Sequence, residues 1–251
     1  MTKVFVHGVP ETSAIWSLVV VELKKRGIND VILLSPPGFG TTTSSGWHAT
    51  QDDYCAWLTE ELEKLGGTID LVGHDWGAGH VFGVVASRSE LVRSWATDCG
   101  GLLHASYEWH DGAQVWQTPV VGEELLGGFI DMSETDKVAV LTSLGMTDGI
   151  ARDVAPALTK EMGRCILSLY RSAIQPAMSK LGTRLALTQQ SNGLVIIPTD
   201  DPYAGTPQMA VDMAASCGAR SVMLEGLGHW WMIADPVGAA DVLIQHWQKQ
   251  I

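Results

Sequence analysis

The sequence predicts an α/β protein: a mostly parallel sheet of about six strands, flanked by helices, with a helical cap inserted into it. Before residue 100 and after residue 183, short apolar runs alternate with segments of helical spacing, as is typical of a parallel sheet covered by helices. Between these positions, helical segments broken by Gly and Pro replace the strand pattern. We therefore expect core segments at 1–99 and 184–251 and a helical cap at 100–183.

The first half of the chain supplies four of the predicted strands. Residues 3–6 form a β-branched and aromatic run, and a helix with one apolar face is predicted over 14–26, where Gly27 ends it. The strand at 31–34 ends at a loop rich in Pro and Gly. The segments that follow are a helix at 54–65, a strand at 69–72, a helix at 78–87 and a strand at 91–97.

The cap and the second half follow from the same patterns. The clearest cap helices are 123–132, 134–143 and 158–171, and the sheet resumes with strands 194–198 and 220–224 and a closing helix over 237–248. Functional sites of parallel α/β sheets collect at the carboxyl ends of the strands. The residues that come directly after each strand are therefore the first candidates for function.

Composition excludes several classes of function. The 251-residue chain has a formal net charge of −12 and a pI near 5.0, whereas nucleic acids and anionic membranes require a basic surface. Its four cysteines lack the spacing of a metal site or a disulfide framework, so we read them as buried thiols. We find neither a signal peptide nor an apolar run of roughly 18 residues, and we expect a soluble, cytoplasmic protein.

The strongest motif is Gly73-His74-Asp75-Trp76-Gly77, which joins an apolar strand to a helix. Flanking glycines allow a strained turn to present one side chain above a sheet, as in a nucleophile elbow. Here that side chain is a carboxylate. Attack by an aspartate on a saturated carbon gives an ester that water can cleave, whereas a serine would give an inert ether. Asp75 is therefore the predicted nucleophile.

Two further motifs complete the predicted machinery. The first strand ends at His7-Gly8-Val9-Pro10, and we assign the backbone N–H groups of Val9 and Trp76 to an oxyanion hole. Gly226-Leu227-Gly228-His229 follows the last strand, where His229 is placed to act as a general base.

An acid that orients the histidine is expected after the strand at 194–198. Asp200 and Asp201 both lie there, and we favour Asp201, with Asp200 as the turn or capping alternative. Asp98, which follows the strand at 91–97, is a third and weaker candidate.

Together these motifs resemble the α/β-hydrolase superfamily, and specifically its aspartate-nucleophile branch of epoxide hydrolases and haloalkane dehalogenases. The resemblance covers nearly the whole chain and implies an α/β-hydrolase fold without cofactor or metal. Relatives usually begin with an antiparallel hairpin, whereas this chain starts directly at the strand at residue 3, so about six core strands are expected rather than eight. The resemblance leaves monomer and homodimer equally open.

The cap separates the two activities of that branch. Epoxide hydrolases usually protonate the opening oxygen with cap tyrosines, and Tyr170 resembles the second of these. Tyr107 is the weaker candidate for the first, because Val115 or Trp116 stands where relatives carry it. Dehalogenases hold the halide with N–H donors, and Trp76 would serve in either activity.

The second halide donor is often an Asn after His-Gly, but Val9 stands there, which leaves Trp109 or Trp116. Trp109, Trp116 and Trp230 are also the residues expected to line the substrate pocket.

The sequence thus favours an epoxide hydrolase acting on a small, neutral, apolar substrate with water as the second reactant. Asp75 would form the alkyl ester, and His229, oriented by Asp201, would activate the water. A haloalkane dehalogenase with the same three residues is the alternative. A protein of a different functional class, a non-catalytic small-molecule receptor, is a further alternative. The presence of all three residues in the expected order argues against it.

Overall fold

The computed structural model describes residues 1–249, and within them it contains a six-stranded parallel sheet in the order β2-β1-β3-β4-β5-β6. The predicted sheet is therefore confirmed. The strands are β1 (Thr2–Val6), β2 (Val31–Leu34), β3 (Ile69–Gly73), β4 (Ser94–Thr97), β5 (Gly193–Pro198) and β6 (Arg220–Leu224).

Helices cover the sheet and form the inserted cap. In the core they are α1 (Ser17–Lys25), α2 (Gln51–Leu65), α3 (Trp76–Arg88), α9 (Ala177–Ala186), α10 (Pro207–Ser216), α11 (Trp231–Ala234) and α12 (Pro236–Gln248). Between β4 and α9 lie α4 (Asp111–Gln117), α5 (Val121–Ile130), α6 (Glu134–Ser143), α7 (Asp148–Val154) and α8 (Lys160–Ser172).

The centre of the sheet is apolar and fully enclosed. β3 and β5 are buried along their whole length, as expected of parallel strands covered on both faces. Asp70 is the one charged residue of β3, and its side chain is also fully buried. Its carboxylate accepts hydrogen bonds from Lys3, Arg93 and Ser94, so the buried charge is paired.

The sequence analysis missed five helices, α4, α7, α9, α10 and α11, of which α11 has only four residues. α4 and α7 have only seven residues each, too few for an apolar period to repeat clearly. α9 follows Pro176 and packs against α3, and it extends past residue 183, which was expected to end the cap. The strand predicted at 91–97 begins only at Ser94, because residues 89–91 form a 3₁₀ turn.

The cysteines are free thiols. Cys99, Cys165 and Cys217 are buried as predicted, but Cys55, on α2, is partly exposed. Among residues 1–249, no helix has the length and apolarity that crossing a membrane requires.

Candidate active site

Asp75 occupies a strained turn between β3 and α3. Its φ of 51° and ψ of −119° are a combination that side chains other than Gly rarely adopt. The flanking glycines are required by close packing: a Cβ on Gly73 would lie 2.7 Å from the Gly77 carbonyl oxygen, and one on Gly77 would lie 2.3 Å from that of Val6. The sequence therefore forms the predicted elbow and holds Asp75 at its tip.

The loop after β1 packs directly against this carboxylate. The Val9 N–H donates to Asp75 Oδ2 across 2.9 Å. A Cβ on Gly8 would lie 2.3 Å from the same oxygen, so only glycine fits there. Trp76 is the first residue of α3, and its N–H has no acceptor within the helix. Both expected oxyanion donors thus lie beside Asp75, in the loop after β1 and at the start of α3.

His229 and Asp201 form the expected pair. His229 Nδ1 lies 2.8 Å from Asp201 Oδ2, while Asp201 Oδ1 accepts the Tyr203 N–H at 2.8 Å. Asp200 is exposed and its Oδ1 accepts a hydrogen bond from the Thr199 hydroxyl. Of the acids that the sequence left open, Asp201 is therefore the one in contact with the histidine.

Asp98, the third of those acids, contacts a different histidine. His74 Nδ1 lies 2.5 Å from Asp98 Oδ2, and His74 Nε2 lies 3.2 Å from Glu11 Oε1. All three side chains are fully buried. Although burial opposes the charged imidazole, the carboxylates of Asp98 and Glu11 hold the pKa of His74 well above its usual value. The cluster is thus an imidazolium between two carboxylates.

This cluster is hydrogen-bonded to Asp75 and to the segment that follows His229. Asp98 Oδ1 accepts the backbone N–H of Asp75 at 2.9 Å, and its Oδ2 accepts the Trp231 indole N–H at 2.7 Å. Glu11 accepts the indole N–H of Trp230. The buried acids therefore tie the elbow to the segment that follows His229.

Burial shifts the pKa values of the reacting groups. It raises the pKa of Asp75 to about 6, although the charge of His229 acts in the opposite direction. Burial opposes the charged form of His229, but the Asp201 carboxylate raises the pKa of His229 above 6.5 overall. A pKa of about 6 leaves the Asp75 carboxyl mostly ionised near neutral pH.

A cavity of about 600 Å³ connects these groups to solvent. Asp75, His229 and Tyr170 line it, together with Trp116 and Trp230 from the expected pocket residues. A larger cleft of about 920 Å³ shares only Leu126 with this cavity and contains none of the three candidate catalytic side chains. The smaller cavity is therefore the candidate active site.

Tyr170, from α8, is 4% exposed, and its ring makes edge contacts with Trp76 and Trp116. Burial, reinforced by the charge of Asp75, holds the pKa of Tyr170 well above its usual value, while a hydrogen bond from Trp76 acts against this. Its hydroxyl therefore stays protonated at neutral pH.

The structure does not bring Tyr107 into the cavity. Its hydroxyl donates to the Tyr203 carbonyl oxygen at 2.7 Å, and its ring packs edge-on against Trp109. Trp109 stacks on Trp76 at 5.7 Å and lies behind the cavity wall, so it supports the pocket without lining it. Its indole N–H is buried and has no partner among residues 1–249.

Sequence reasoning missed Glu11, and it did not include Tyr203 among the site residues. Tyr203 lines the cavity, and its ring lies edge-on to His229 at 5.1 Å. Glu11 directly follows His7-Gly8-Val9-Pro10, so an acid next to the oxyanion loop was the available signal. Tyr203 lies two residues after Asp201, and the loop returns it to the site.

Two groups of side chains have the donor types of a metal site. Glu11, His74 and His229 form one, and Cys99, Asp201 and His229 form the other, with donor atoms within 4.8 Å of one another. In the first group both His74 nitrogens are already hydrogen-bonded to carboxylates. In the second, Nδ1 of His229 is paired with Asp201. His74 therefore has no ring nitrogen left for a metal ion, whereas His229 keeps Nε2.

Solved structures of similar fold include hydrolases of several kinds, and no curated protein sequence matches the chain. A haloalkane dehalogenase, the DbeA-M1 loop variant from Bradyrhizobium elkanii, is 21% identical, with a TM-score of 0.75 over 99% of this chain and 90% of that one. A thermophilic esterase from Thermogutta terrifontis is 16% identical, with a TM-score of 0.76 over 100% of this chain and 90% of that one. At these identities the similarity shows a shared fold.

The sequence itself matches a family model over almost its whole length. The match runs from residue 4 to residue 242 and therefore includes the end of β1, the elbow, the cap and the loop that carries His229. The chain belongs to the alpha/beta hydrolase family.

Proposed function

We propose that this protein hydrolyses an epoxide to a vicinal diol through a covalent ester on Asp75. The observation that carries the proposal is that a carboxylate nucleophile, a histidine paired with an acid, and a protonated phenol line one apolar cavity. A carboxylate suits attack on a saturated carbon, and the phenol suits an oxygen leaving group that needs a proton.

In the first step, Asp75 opens the ring. Val9 holds Oδ2, so Oδ1 is the oxygen that attacks the less hindered epoxide carbon. The carbon–oxygen bond of the ring breaks, its electron pair moves to the epoxide oxygen, and Tyr170 supplies a proton there. The product of this step is a hydroxyalkyl ester of Asp75. Tyr107 is left out of the proposal because its hydroxyl is bonded to the Tyr203 carbonyl.

In the second step, water cleaves the ester. His229 takes a proton from water, and Asp201 stabilises the resulting imidazolium. Hydroxide adds to the ester carbonyl carbon, and the N–H groups of Val9 and Trp76 stabilise the oxyanion at Oδ2. Collapse breaks the ester carbon–oxygen bond, and the His229 imidazolium returns its proton to the departing alkoxide, which leaves as the diol. The new carboxylic acid of Asp75 then loses its proton, and a proton is returned to the Tyr170 phenolate, so that both groups regain their starting forms.

The test is intact-protein mass spectrometry of the His229→Gln variant after exposure to aryl and alkyl epoxides. We expect an adduct equal in mass to the whole epoxide, because ester formation survives without the base. Asp75→Asn in the same background should remove the adduct and, in the wild-type enzyme, should lower turnover by roughly 10⁴-fold or more. Turnover that survives both changes would defeat the mechanism.

Two matched variants test the role of Tyr170 as the proton donor. Tyr170→Phe should slow adduct formation with epoxides by about 10²-fold or more, the usual contribution of a positioned proton donor. Tyr107→Phe removes a hydroxyl of the same kind that lies outside the cavity, and it should affect the rate far less. Equal effects of the two variants would contradict the role of Tyr170.

Haloalkane dehalogenation is the second candidate, and one observation favours it. Trp116 lines the same cavity as Asp75, and an indole N–H donor there would suit a leaving halide. A bromoalkane should then give the His229→Gln variant an adduct equal to the bromoalkane minus HBr. Tyr170→Phe should leave that reaction largely intact, whereas Trp116→Phe should slow it. Absence of any adduct from either panel would contradict both proposals.

A further inference from the structure

The outer wall of the catalytic cavity is formed by apolar side chains of α5, α6 and the segments that follow them. Leu125, Phe129 and Met132 recur at helical spacing on one side, and Val140 and Leu144 lie four residues apart on the other. We call these five residues the apolar rim. Two stripes of apolar side chains thus border the same cavity.

The exposure of this wall increases toward solvent. Leu126 is 3% exposed and forms part of the inner wall, whereas Phe129 and Val140 are partly exposed. Leu125, Met132 and Leu144 are 56%, 42% and 44% exposed. Because all of them line the cavity of Asp75, the apolar surface is continuous from the nucleophile to the outside. Contiguous exposed apolar surface of this kind marks a place where a ligand or partner binds.

Charge indicates what kind of molecule binds there. Glu124 is exposed and lies on the same wall, and the chain as a whole carries a formal net charge of −12. A ligand with an anionic tail would meet like charge at the opening, whereas an uncharged apolar tail would meet only the apolar rim.

We propose that the substrate is an elongated molecule whose reactive end reaches Asp75 and whose uncharged apolar tail lies along the apolar rim between α5 and α6. This inference rests on the proposed function for the identity of the reactive end. It extends the small apolar substrate expected from the sequence by a tail that leaves the cavity.

The first test is kcat/KM over a series of straight-chain terminal epoxides from epoxybutane to epoxydecane. Each methylene that lies against the rim should raise kcat/KM by about twofold to fourfold, until the tail extends beyond it. Leu125→Ser and Leu144→Ser should flatten this dependence, so that their losses increase with chain length. Leu187→Ser is the matched control, because Leu187 is 81% exposed and does not line the cavity.

A second arm tests the charge. An epoxide with a carboxylate at the far end of its tail should react more slowly than the neutral epoxide of equal length. Glu124→Gln should reduce that difference, whereas Glu60→Gln, on the exposed side of α2, should not. A carboxylate that reacts as fast as its neutral counterpart would contradict the uncharged tail.

Binding separates this inference from the proposed function. Dissociation constants of straight-chain alcohols from butanol to decanol can be measured by quenching of tryptophan fluorescence, since Trp116 and Trp230 line the cavity. If no epoxide or bromoalkane reacts, the proposed function fails, but affinity that increases with chain length and decreases in Leu125→Ser would still support the tail site. Equal affinity for butanol and decanol would overturn it.

Discussion

The backbone N–H of Val9 lies 2.9 Å from Oδ2 of Asp75, so the loop after β1 holds one oxygen of this carboxylate and leaves the other for the proposed attack. In the proposed ester, Oδ2 would become the carbonyl oxygen, and negative charge would develop on it during hydrolysis. The donor that orients the resting carboxylate is therefore already in place for the oxyanion. No rearrangement of this loop is required between the two steps.

Gly8→Ala should disable this arrangement. The new Cβ would lie 2.3 Å from Asp75 Oδ2, so the carboxylate or the loop must move, and the Val9 hydrogen bond is lost. Because a single oxyanion donor contributes about 10²- to 10³-fold, we expect at least that loss in kcat. Gly149→Ala is the control, since a Cβ there meets no atom within 4 Å. Full activity of Gly8→Ala would show that the loop does not hold the nucleophile.

Adduct formation should depend on pH through Asp75. The attacking form is the carboxylate, and its pKa is raised to about 6, so the single-turnover rate should fall as the pH drops below about 6 and level off above it. The charge of His229 lowers the pKa of Asp75, so in His229→Gln the rate should begin to fall at a higher pH. Stopped-flow tryptophan fluorescence measures both. If the rate of the variant falls at the same pH as that of the wild-type enzyme, or at a lower pH, this electrostatic coupling is contradicted.

Asp201→Ala and Asp200→Ala should differ sharply, although the two residues are adjacent. Asp201 pairs with His229, and loss of the orienting acid of a triad lowers turnover by roughly 10⁴-fold. Asp200 is exposed and contacts only Thr199 through its side chain among the described residues. Its variant should retain most of the activity. Steady-state kcat with an epoxide substrate decides the assignment, and the reverse result would transfer the acid role to Asp200.

Asp98→Ala should destabilise the fold. It leaves the buried His74 with one carboxylate and removes the acceptor of the Asp75 and Trp231 N–H groups. Breaking a buried ion pair from one side costs about 3–5 kcal/mol, which urea unfolding would detect as a lower free energy of unfolding. Asp241→Ala breaks an exposed pair with Arg26 and serves as the control. Similar free energies for the two variants would show that the Asp98 cluster is not structurally important.

Local motifs predicted most of the fold and the three central residues of the candidate site. Apolar strands followed by Gly-rich turns placed Asp75, Asp201 and His229 at the same edge of the sheet, where the structure has them. The periodicity of α6 and the run at β6 gave their bounds correctly, because each is long enough for its pattern to repeat. Local patterns therefore suffice where an element carries its own signal.

Contacts between residues that are far apart in the sequence could not be predicted from local patterns. Glu11 meets His74 across 63 residues and Trp230 across 219, and no local pattern encodes such a meeting. The same limit applies to Tyr107, whose hydroxyl is held by Tyr203, 96 residues away. Side-chain orientation in the cap depends on how its short helices pack, and that packing is set by the core beneath them.

The three glycines around Asp75 also have an evolutionary consequence. A methyl group on Gly8, Gly73 or Gly77 would collide with the carboxylate or the main chain, so these positions cannot drift without loss of the site. The walls of the cavity, where Leu125 and Leu144 reach solvent, carry no such restriction. Substitutions in α5 and α6 should therefore change the substrate preference during evolution, while the three glycines are retained and the type of reaction stays the same.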